Sequence, residues 1–202
     1  AWALDHLPFD ARWCLIHATQ TTPEETAALA ASGAVAGLCP VTEANLGDGI
    51  FDGARFLAAG GRFGVGSDSN LRIGLAEELR QLEHSQRLRD GARAVLCSDA
   101  ASCGRTLLEG ACRGAAQALG RGAGVIAEGA AADLVALDGA ALCLAGRTGD
   151  ALLDGWIFAG DDRVVRHVWS AGRHVVRDGR HPEREPVEAA FRRALAGLAD
   201  AL

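Results

Sequence analysis

The sequence lacks the features that mark several common classes of protein. Its 202 residues carry a net charge of −6 and no basic stripe, which argues against nucleic acid or an anionic membrane as the main partner. Its apolar stretches are far shorter than a membrane span and are broken by Gly, Arg or Asp. No charged segment followed by an apolar one opens the chain, so we expect no signal peptide. The composition is that of an ordinary soluble globular protein.

Paired cysteines are missing as well. None of the six cysteines belongs to a Cys-x-x-Cys pair, and no Cys/His set has the spacing of a structural zinc site. Cys14 and Cys39 lie in apolar runs that resemble buried strands. We therefore expect free thiols that pack as small hydrophobic groups, in a protein of the reducing cytoplasm.

Methionine is absent throughout, including at position 1. A complete product would begin with Met unless it were processed, so a trimmed or low-methionine protein is one interpretation. A fragment of a longer protein is the other. The pattern of strands and helices favours the fragment.

The first part of the chain alternates predicted strands and helices. The predicted strands are 12–17, 34–39 and 62–66, and the predicted helices are about 22–32, 51–59, 75–90 and 99–119. Thr22 at an N-cap, Pro23, Glu25 and the closing Gly33 define the ends of the first helix. We expect a polar loop after the second strand. Regular βα alternation predicts an α/β fold with parallel strands, either Rossmann-like or a TIM barrel.

The number of βα units limits what this part can form. A closed TIM barrel needs eight units and about 250 residues, whereas about three are visible here. We therefore predict part of a TIM barrel over residues 1–122. Short strands predict a small β module over 123–182, with a hairpin-like turn at 170–173. An amphipathic helix, with Phe191, Leu195, Leu198 and Leu202 on one face, fills 183–202 and starts at about Pro186.

Polar residues follow the three predicted parallel strands. His17 ends the first strand, Glu43 and Asn45 follow the second, and Asp68 follows the third. Because parallel strands bring their carboxyl ends to one edge, we expect these side chains at a shared mouth. A His and an Asp there suit metal-assisted hydrolysis, since the carboxylate can bind the metal and accept a proton. Structural alternatives remain for each: a hydrogen-bonded strand-end His17, a surface Glu43, and Asp68 as a helix N-cap.

Several segments resemble the formimidoylglutamate deiminases, enzymes of histidine degradation in the amidohydrolase superfamily. The resemblance is carried by residues 13–19 (WCLIHAT), 37–40 (GLCP), 42–49 (TEANLGDG), 66–70 (GSDSN), 77–80, 85–90 and 132–138 (ADLVALD). The 42–49 segment is the most specific to this family. The GSD and ADLV segments are common to related deaminases and chlorohydrolases.

The resemblance implies a fold, a reaction and a cofactor. The fold would be the C-terminal part of a metal-dependent-hydrolase TIM barrel, with barrel strands 6–8, plus a small β-sandwich-like module of the composite domain. The complete enzyme would hydrolyse N-formimino-L-glutamate to N-formyl-L-glutamate and ammonia with one zinc ion, as a cytoplasmic homodimer. His17 would be the active-site histidine of strand 6 and Asp68 the catalytic, metal-binding aspartate of strand 8. Glu43 and Asn45 would shape the substrate pocket.

The sequence also departs from the family. Gln20 replaces a second histidine that family members often have, and Gln cannot titrate. The His-x-His of the first barrel strand and the histidine of strand 5 are absent, and a catalytic zinc normally has about three protein ligands. We therefore expect the 202 residues alone to hold no zinc and to have no turnover.

Two alternatives stay open. One is a different deaminase of the superfamily, acting on guanine or a related cyclic amidine. The other is a non-catalytic half-barrel that assembles with a partner chain, which predicts an exposed apolar face at its open edge.

Overall fold

The computed structural model describes residues 2–70 and 72–199. Its strands are β1 (Cys14–Ile16), β2 (Val35–Leu38), β3 (Arg62–Val65), β4 (Leu134–Leu137), β5 (Val165–Ser170) and β6 (Arg173–Val176). Its α-helices are α1 (Trp2–His6), α2 (Pro23–Ser32), α3 (Pro40–Leu46), α4 (Gly53–Ala58), α5 (Leu75–Asp90), α6 (Cys103–Ala118), α7 (Asp150–Asp154) and α8 (Arg184–Ala199). A π-helical turn at Gly155–Ala159 continues α7, and a short 3-10 turn spans Asp162–Val164. No helix within the described ranges is both long and apolar enough to cross a membrane.

The first three strands form one parallel sheet in the order β1-β2-β3. Cys14 pairs with Val35 and Ala36 pairs with Phe63 along this sheet. The predicted α/β alternation is therefore confirmed for this part of the chain. The TIM barrel to which the resemblance assigns these strands, and the division at residues 122 and 182, stay predictions.

The ends of α2 lie where the sequence signals predict. The Thr22 hydroxyl accepts the Glu25 N–H at 3.2 Å, and the Glu25 carboxylate accepts the Thr22 N–H at 2.9 Å. Gly33 closes the helix with a φ of 76°, in the left-handed region that glycine adopts without strain.

The polar loop expected after β2 is wrong for residues 40–46, which form α3. Pro40 takes the first turn of this helix, where its missing N–H is not needed, and Gly47 ends it with a φ of 72°. These two residues are helix signals that the polar character of the segment obscured. The helix matters for the site because it carries Glu43 and Asn45.

Helix α6 packs closely on β3 through glycine. A Cβ at Gly114 would lie 1.9 Å from the Phe63 carbonyl oxygen, which is backbone and cannot move aside. Phe63 is itself part of the main core. The core residues that are almost fully buried include Leu29, Leu38, Phe56, Phe63, Leu79 and Leu107.

Gly114→Ala is expected to lower the free energy of unfolding by about 3 kcal/mol, because the added methyl forces α6 away from the sheet. Gly197→Ala is the matched control: it is also helical, on α8, and a Cβ there has no neighbouring atom within 4 Å. That control should be neutral or slightly stabilising, since Ala favours a helix. Urea unfolding of both variants measures the difference, and equal stabilities would contradict the close α6–β3 packing.

The later part of the chain forms a three-stranded antiparallel sheet in the order β4-β5-β6. The short strands predicted for this part are thus present, and the β-sandwich-like arrangement stays a prediction. Helix α7 and the π-helical turn were not predicted. They join the two parts: Trp156 and Leu144 are buried beside Ala76 of α5, and the Arg80 guanidinium donates to the Ile157 carbonyl at 2.6 Å.

Helix α8 begins at Arg184, two residues before the predicted start at Pro186. Phe191, Leu195 and Leu198 of its predicted apolar face are exposed. The fourth member, Leu202, lies outside the described residues.

Candidate functional site

Three ionisable side chains meet at the carboxyl edge of the parallel sheet. His17 directly follows β1, Asp68 lies just beyond β3, and Glu43 is carried by α3 after β2. The His17 Nε2 atom lies 3.7 Å from Asp68 Oδ2, and its Nδ1 atom lies 3.3 Å from Glu43 Oε1. The imidazole is therefore bracketed by two carboxylates, one on each ring nitrogen.

The backbone holds two of these residues in an uncommon conformation. His17 has a φ of 64° and Asp68 a φ of 52°, both in the left-handed region that non-glycine residues rarely occupy. Such residues cost on the order of 1–3 kcal/mol each and persist where surrounding contacts fix them. The His17 N–H donates to the Gly37 carbonyl at 2.8 Å, and the Thr42 hydroxyl donates to the Ser67 carbonyl at 3.0 Å. These bonds tie both strand ends to β2 and α3.

Glu43 is buried and fixes the orientation of His17. Its side chain is 6% exposed, and Oε1 also accepts the Cys39 N–H at 2.8 Å. Burial raises the pKa of Glu43, while the bonds from Cys39 and His17 oppose that change. As an acceptor beside Nδ1, Glu43 favours the tautomer with the proton on Nδ1, which leaves the Nε2 lone pair facing Asp68. The alternative of a surface Glu43 is therefore wrong.

Cys39 is the member of this cluster that the sequence analysis missed. Ligand atoms of His17, Cys39 and Asp68 all lie within 4.8 Å of one another. Its thiol is free and buried, as expected, and it lies at the strand end beside the other two residues. Burial, followed by the charges of Glu43 and Asp68, raises the pKa of Cys39 to about 11, so the group is a neutral thiol. Its position immediately before Pro40 was the only signal in the sequence.

The donor types of this cluster fit a zinc ion. Imidazole nitrogen, carboxylate oxygen and cysteine sulfur are the protein ligands that zinc accepts. The Cys39 thiol would have to lose its proton before it could bind the ion. Cys39 is thus the weakest donor of the three.

Asn45 lies farther out on α3 and is exposed. Its side chain reaches Asn70 rather than the imidazole, with 3.5 Å between Asn45 Nδ2 and Asn70 Oδ1. The Nδ2 atom of Asn70 is buried and makes no hydrogen bond within the described part of the chain. A buried donor without a protein acceptor is a suitable contact for a bound ligand.

Gln20 makes a structural hydrogen bond, whereas a histidine at this position could also titrate. Its amide donates to the Asp48 carbonyl at 2.5 Å, and the neighbouring Thr19 hydroxyl donates to the same oxygen at 2.8 Å. These bonds tie the loop after β1 to the loop after α3. A cavity of about 130 Å³ lies beside that loop, with Glu43, Ala44, Gly49 and Ile50 among its lining residues.

Glu78, a buried residue of α5, holds the first turn of α3 in place. It is 2% exposed, and its Oε2 atom accepts the Val41 N–H at 3.0 Å. Burial, reinforced by the nearby charges of Glu43 and Glu77, raises the pKa of Glu78 from 4.5 to about 7. A raised pKa means that the folded state binds this proton more tightly than the unfolded state does.

The stability that Glu78 contributes is therefore expected to fall as the pH rises from about 4.5 to about 7, and to stay level above that. Glu78→Gln keeps the shape of the neutral acid and should remove this dependence. Between pH 5 and pH 8 the native chain should lose on the order of 2–3 kcal/mol relative to the variant, measured by urea unfolding. Glu128→Gln, at an exposed position, is the control. An unchanged pH dependence in Glu78→Gln would contradict the assignment.

Comparison with known proteins adds three relationships. Residues 5–175 match the amidohydrolase family. A curated formimidoylglutamate deiminase from Pseudomonas aeruginosa is 54% identical over 200 residues, which are 98% of this chain and 44% of that protein. The chain thus spans less than half the length of this relative.

Two solved structures resemble the fold. An amidohydrolase from Brucella melitensis has a TM-score of 0.91 and 51% identity, covering 98% of this chain and 44% of that one. An adenosine deaminase from Xanthomonas campestris, solved with bound zinc, has a TM-score of 0.80 and 25% identity, covering 92% of this chain and 42% of that one.

Proposed function

Because the chain belongs to the amidohydrolase family, we propose that it supplies Asp68 and His17 to an active site that hydrolyses N-formimino-L-glutamate to N-formyl-L-glutamate and ammonia. The observation that carries the proposal is the 3.7 Å approach of His17 Nε2 to Asp68 Oδ2 at one sheet edge. The substrate is suggested by the 54% identity to a formimidoylglutamate deiminase over nearly the whole chain.

Zinc is the proposed cofactor, and Asp68 is the residue that would hold it. The Xanthomonas campestris structure contains zinc, and the donor types around Asp68 suit that ion. When bound, zinc acts as a Lewis acid and makes water a nucleophile near neutral pH.

The proposed reaction requires both protons of a water molecule to move to the leaving nitrogen. Water adds to the formimino carbon, and the carbon–nitrogen bond to the terminal nitrogen then breaks to release ammonia. Asp68 passes one water proton to the terminal nitrogen as the water adds. It then passes the proton of the new hydroxyl to the same nitrogen as the carbon–nitrogen bond breaks, so both protons leave in ammonia. Its carboxylate suits this role because it is at the sheet edge and open to a ligand. His17, held by Glu43, steadies the charge that develops beside Asp68.

Substrate contacts are proposed on α3 and the segment after β3. Asn45 and the unpaired Nδ2 of Asn70 can donate to a carboxylate of the substrate. Glu43 would shape the inner wall of the pocket, where the 130 Å³ cavity adjoins it. A homodimer and a cytoplasmic location remain predictions from the resemblance.

A chimera tests the function. These 202 residues replace the matching 44% of the Pseudomonas aeruginosa relative, and ammonia release is measured with N-formimino-L-glutamate and with guanine. We expect zinc-dependent release from N-formimino-L-glutamate and none from guanine. Release from guanine alone would support the alternative deaminase and overturn the proposed substrate.

The 202-residue chain alone is expected to release no ammonia from N-formimino-L-glutamate, with or without added zinc. Asp68, His17 and the neutral Cys39 thiol do not provide the full ligand set of a catalytic zinc. The same ammonia assay, run beside the active chimera, checks this. Robust zinc-dependent turnover by the isolated chain would contradict it.

Assembly with a partner chain is the second candidate, and the edge strand β1 favours it. Within the described residues β1 pairs only with β2, and Ile16 at its end and Trp13 just before it are 57% and 39% exposed. Unpaired apolar edges attract another strand. Size-exclusion chromatography of the 202-residue chain separates the cases, because a clean monomer at all concentrations weakens the assembly hypothesis.

A further inference from the structure

Two histidines and a tryptophan share one face of the β5–β6 hairpin, remote in sequence from the strand-end cluster. Trp169 and His174 are cross-strand partners, and their rings stack with centroids 4.4 Å apart and an interplanar angle of 14°. His167 lies on the same strand as Trp169, two residues earlier. The His174 Nε2 atom is 3.2 Å from the His167 Nδ1 atom.

The surroundings of the two rings favour a lone pair on one of the two facing nitrogens. The Asp178 N–H donates to His167 Nδ1 at 3.5 Å, which requires a lone pair there. Partial burial, then Arg177 and His167, lower the pKa of His174, against opposing effects of a Val176 backbone hydrogen bond and the Asp178 charge. The Nε2–H tautomer of His174 can donate to this lone pair, and the other tautomer presents a lone pair on Nε2 instead. A metal ion that took the place of the proton between the two nitrogens would be bound by both of them.

We propose that His167 and His174 form a binding site for a divalent transition-metal ion, of the Cu²⁺, Ni²⁺ and Zn²⁺ class, that bridges β5 and β6. In a tetrahedral site with metal–nitrogen distances of 2.0–2.1 Å, two imidazole nitrogens are about 3.3 Å apart. The observed 3.2 Å therefore needs almost no rearrangement. Stacking on Trp169 already restrains the His174 ring, so little side-chain freedom is lost on binding.

Charged groups around the hairpin affect the affinity that we expect for the metal. Arg177 disfavours a cation and Asp178 favours one, while the Asp178 carboxylate is engaged by Arg166 at 2.8 Å. Water would complete the coordination, so we expect the site to bind the metal with moderate affinity. Its affinity should follow the order in which Cu²⁺ binds more tightly than Ni²⁺. Binding should weaken as the pH falls, because the metal needs the neutral form of its imidazole ligands.

Copper titration of the Asp68→Asn chain tests the site, because that substitution weakens the strand-end cluster and leaves the hairpin unchanged. We expect one Cu²⁺ per chain by calorimetry at pH 7.5. His167→Ala and His174→Ala should each weaken binding at least about tenfold, which is 1.4 kcal/mol. His181→Ala, at an exposed histidine after the hairpin, is the matched control and should bind as the parent does.

Electron paramagnetic resonance of the parent chain gives a readout that does not depend on how the variants fold. Bound Cu²⁺ should show splitting from two imidazole nitrogens. Binding unaffected by both substitutions, or a one-nitrogen spectrum in the parent, would overturn the proposal.

Discussion

Asp68→Asn in the chimera should reduce kcat/KM for N-formimino-L-glutamate on the order of 10⁴-fold. The amide cannot accept the proton of the attacking water, and it is a much weaker ligand for zinc than a carboxylate is. Asn also tolerates the left-handed φ of 52° at this position, so the backbone should be retained. The loss can therefore be attributed to the chemistry of the side chain.

Asp99→Asn is the control for this substitution, since Asp99 lies on an exposed loop before α6, away from the strand ends. It should retain full activity. Steady-state ammonia release and the zinc content of both variants are measured together. An Asp68→Asn enzyme with near-normal kcat/KM would remove Asp68 from the reaction, whatever its zinc content.

His17→Asn should lower kcat/KM by about 10²- to 10³-fold and leave most of the zinc bound. The substitution removes the imidazole that steadies charge beside Asp68, whereas zinc is proposed to depend chiefly on Asp68. Asn again suits the local φ, which is 64°. Activity and zinc content thus respond differently to the two substitutions.

His84→Asn provides the matched control, because His84 is exposed on α5. It should behave as the parent chimera does in both assays. If His17→Asn lost its zinc to the same extent as Asp68→Asn, His17 would be a ligand rather than a positioned neighbour. If it lost neither zinc nor activity, the strand-end histidine would be structural.

Local signals in the sequence were sufficient to predict the helices and strands whose ends are clearly marked. The capping box at Thr22 and Glu25 and the closing Gly33 define α2 because each satisfies backbone groups within a few residues. The three parallel strands were equally visible, since strands buried on both faces require continuous apolar runs. Parallel pairing then explains why residues that end successive strands, His17 and Asp68 among them, lie close in space.

Elements fixed by distant contacts could not be predicted in the same way. Helix α3 has a proline start and a glycine end, but it is only seven residues long and Thr42, Glu43 and Asn45 interrupt its apolar residues, so apolar periodicity was weak. The π-helical turn at Gly155–Ala159 depends on contacts with α5 that are far away in sequence. Cys39 looked like any packed thiol, and only the fold shows its sulfur beside His17 and Asp68.

The proposed reaction depends on Asp68 as the group that holds a metal next to His17. Anomalous diffraction at the zinc edge from crystals of the chimera tests this most directly. We expect one strong peak in contact with the Asp68 carboxylate, on the side that faces the His17 ring. A fully active chimera whose zinc peak lies away from Asp68, or that has no peak at this sheet edge, would contradict the account.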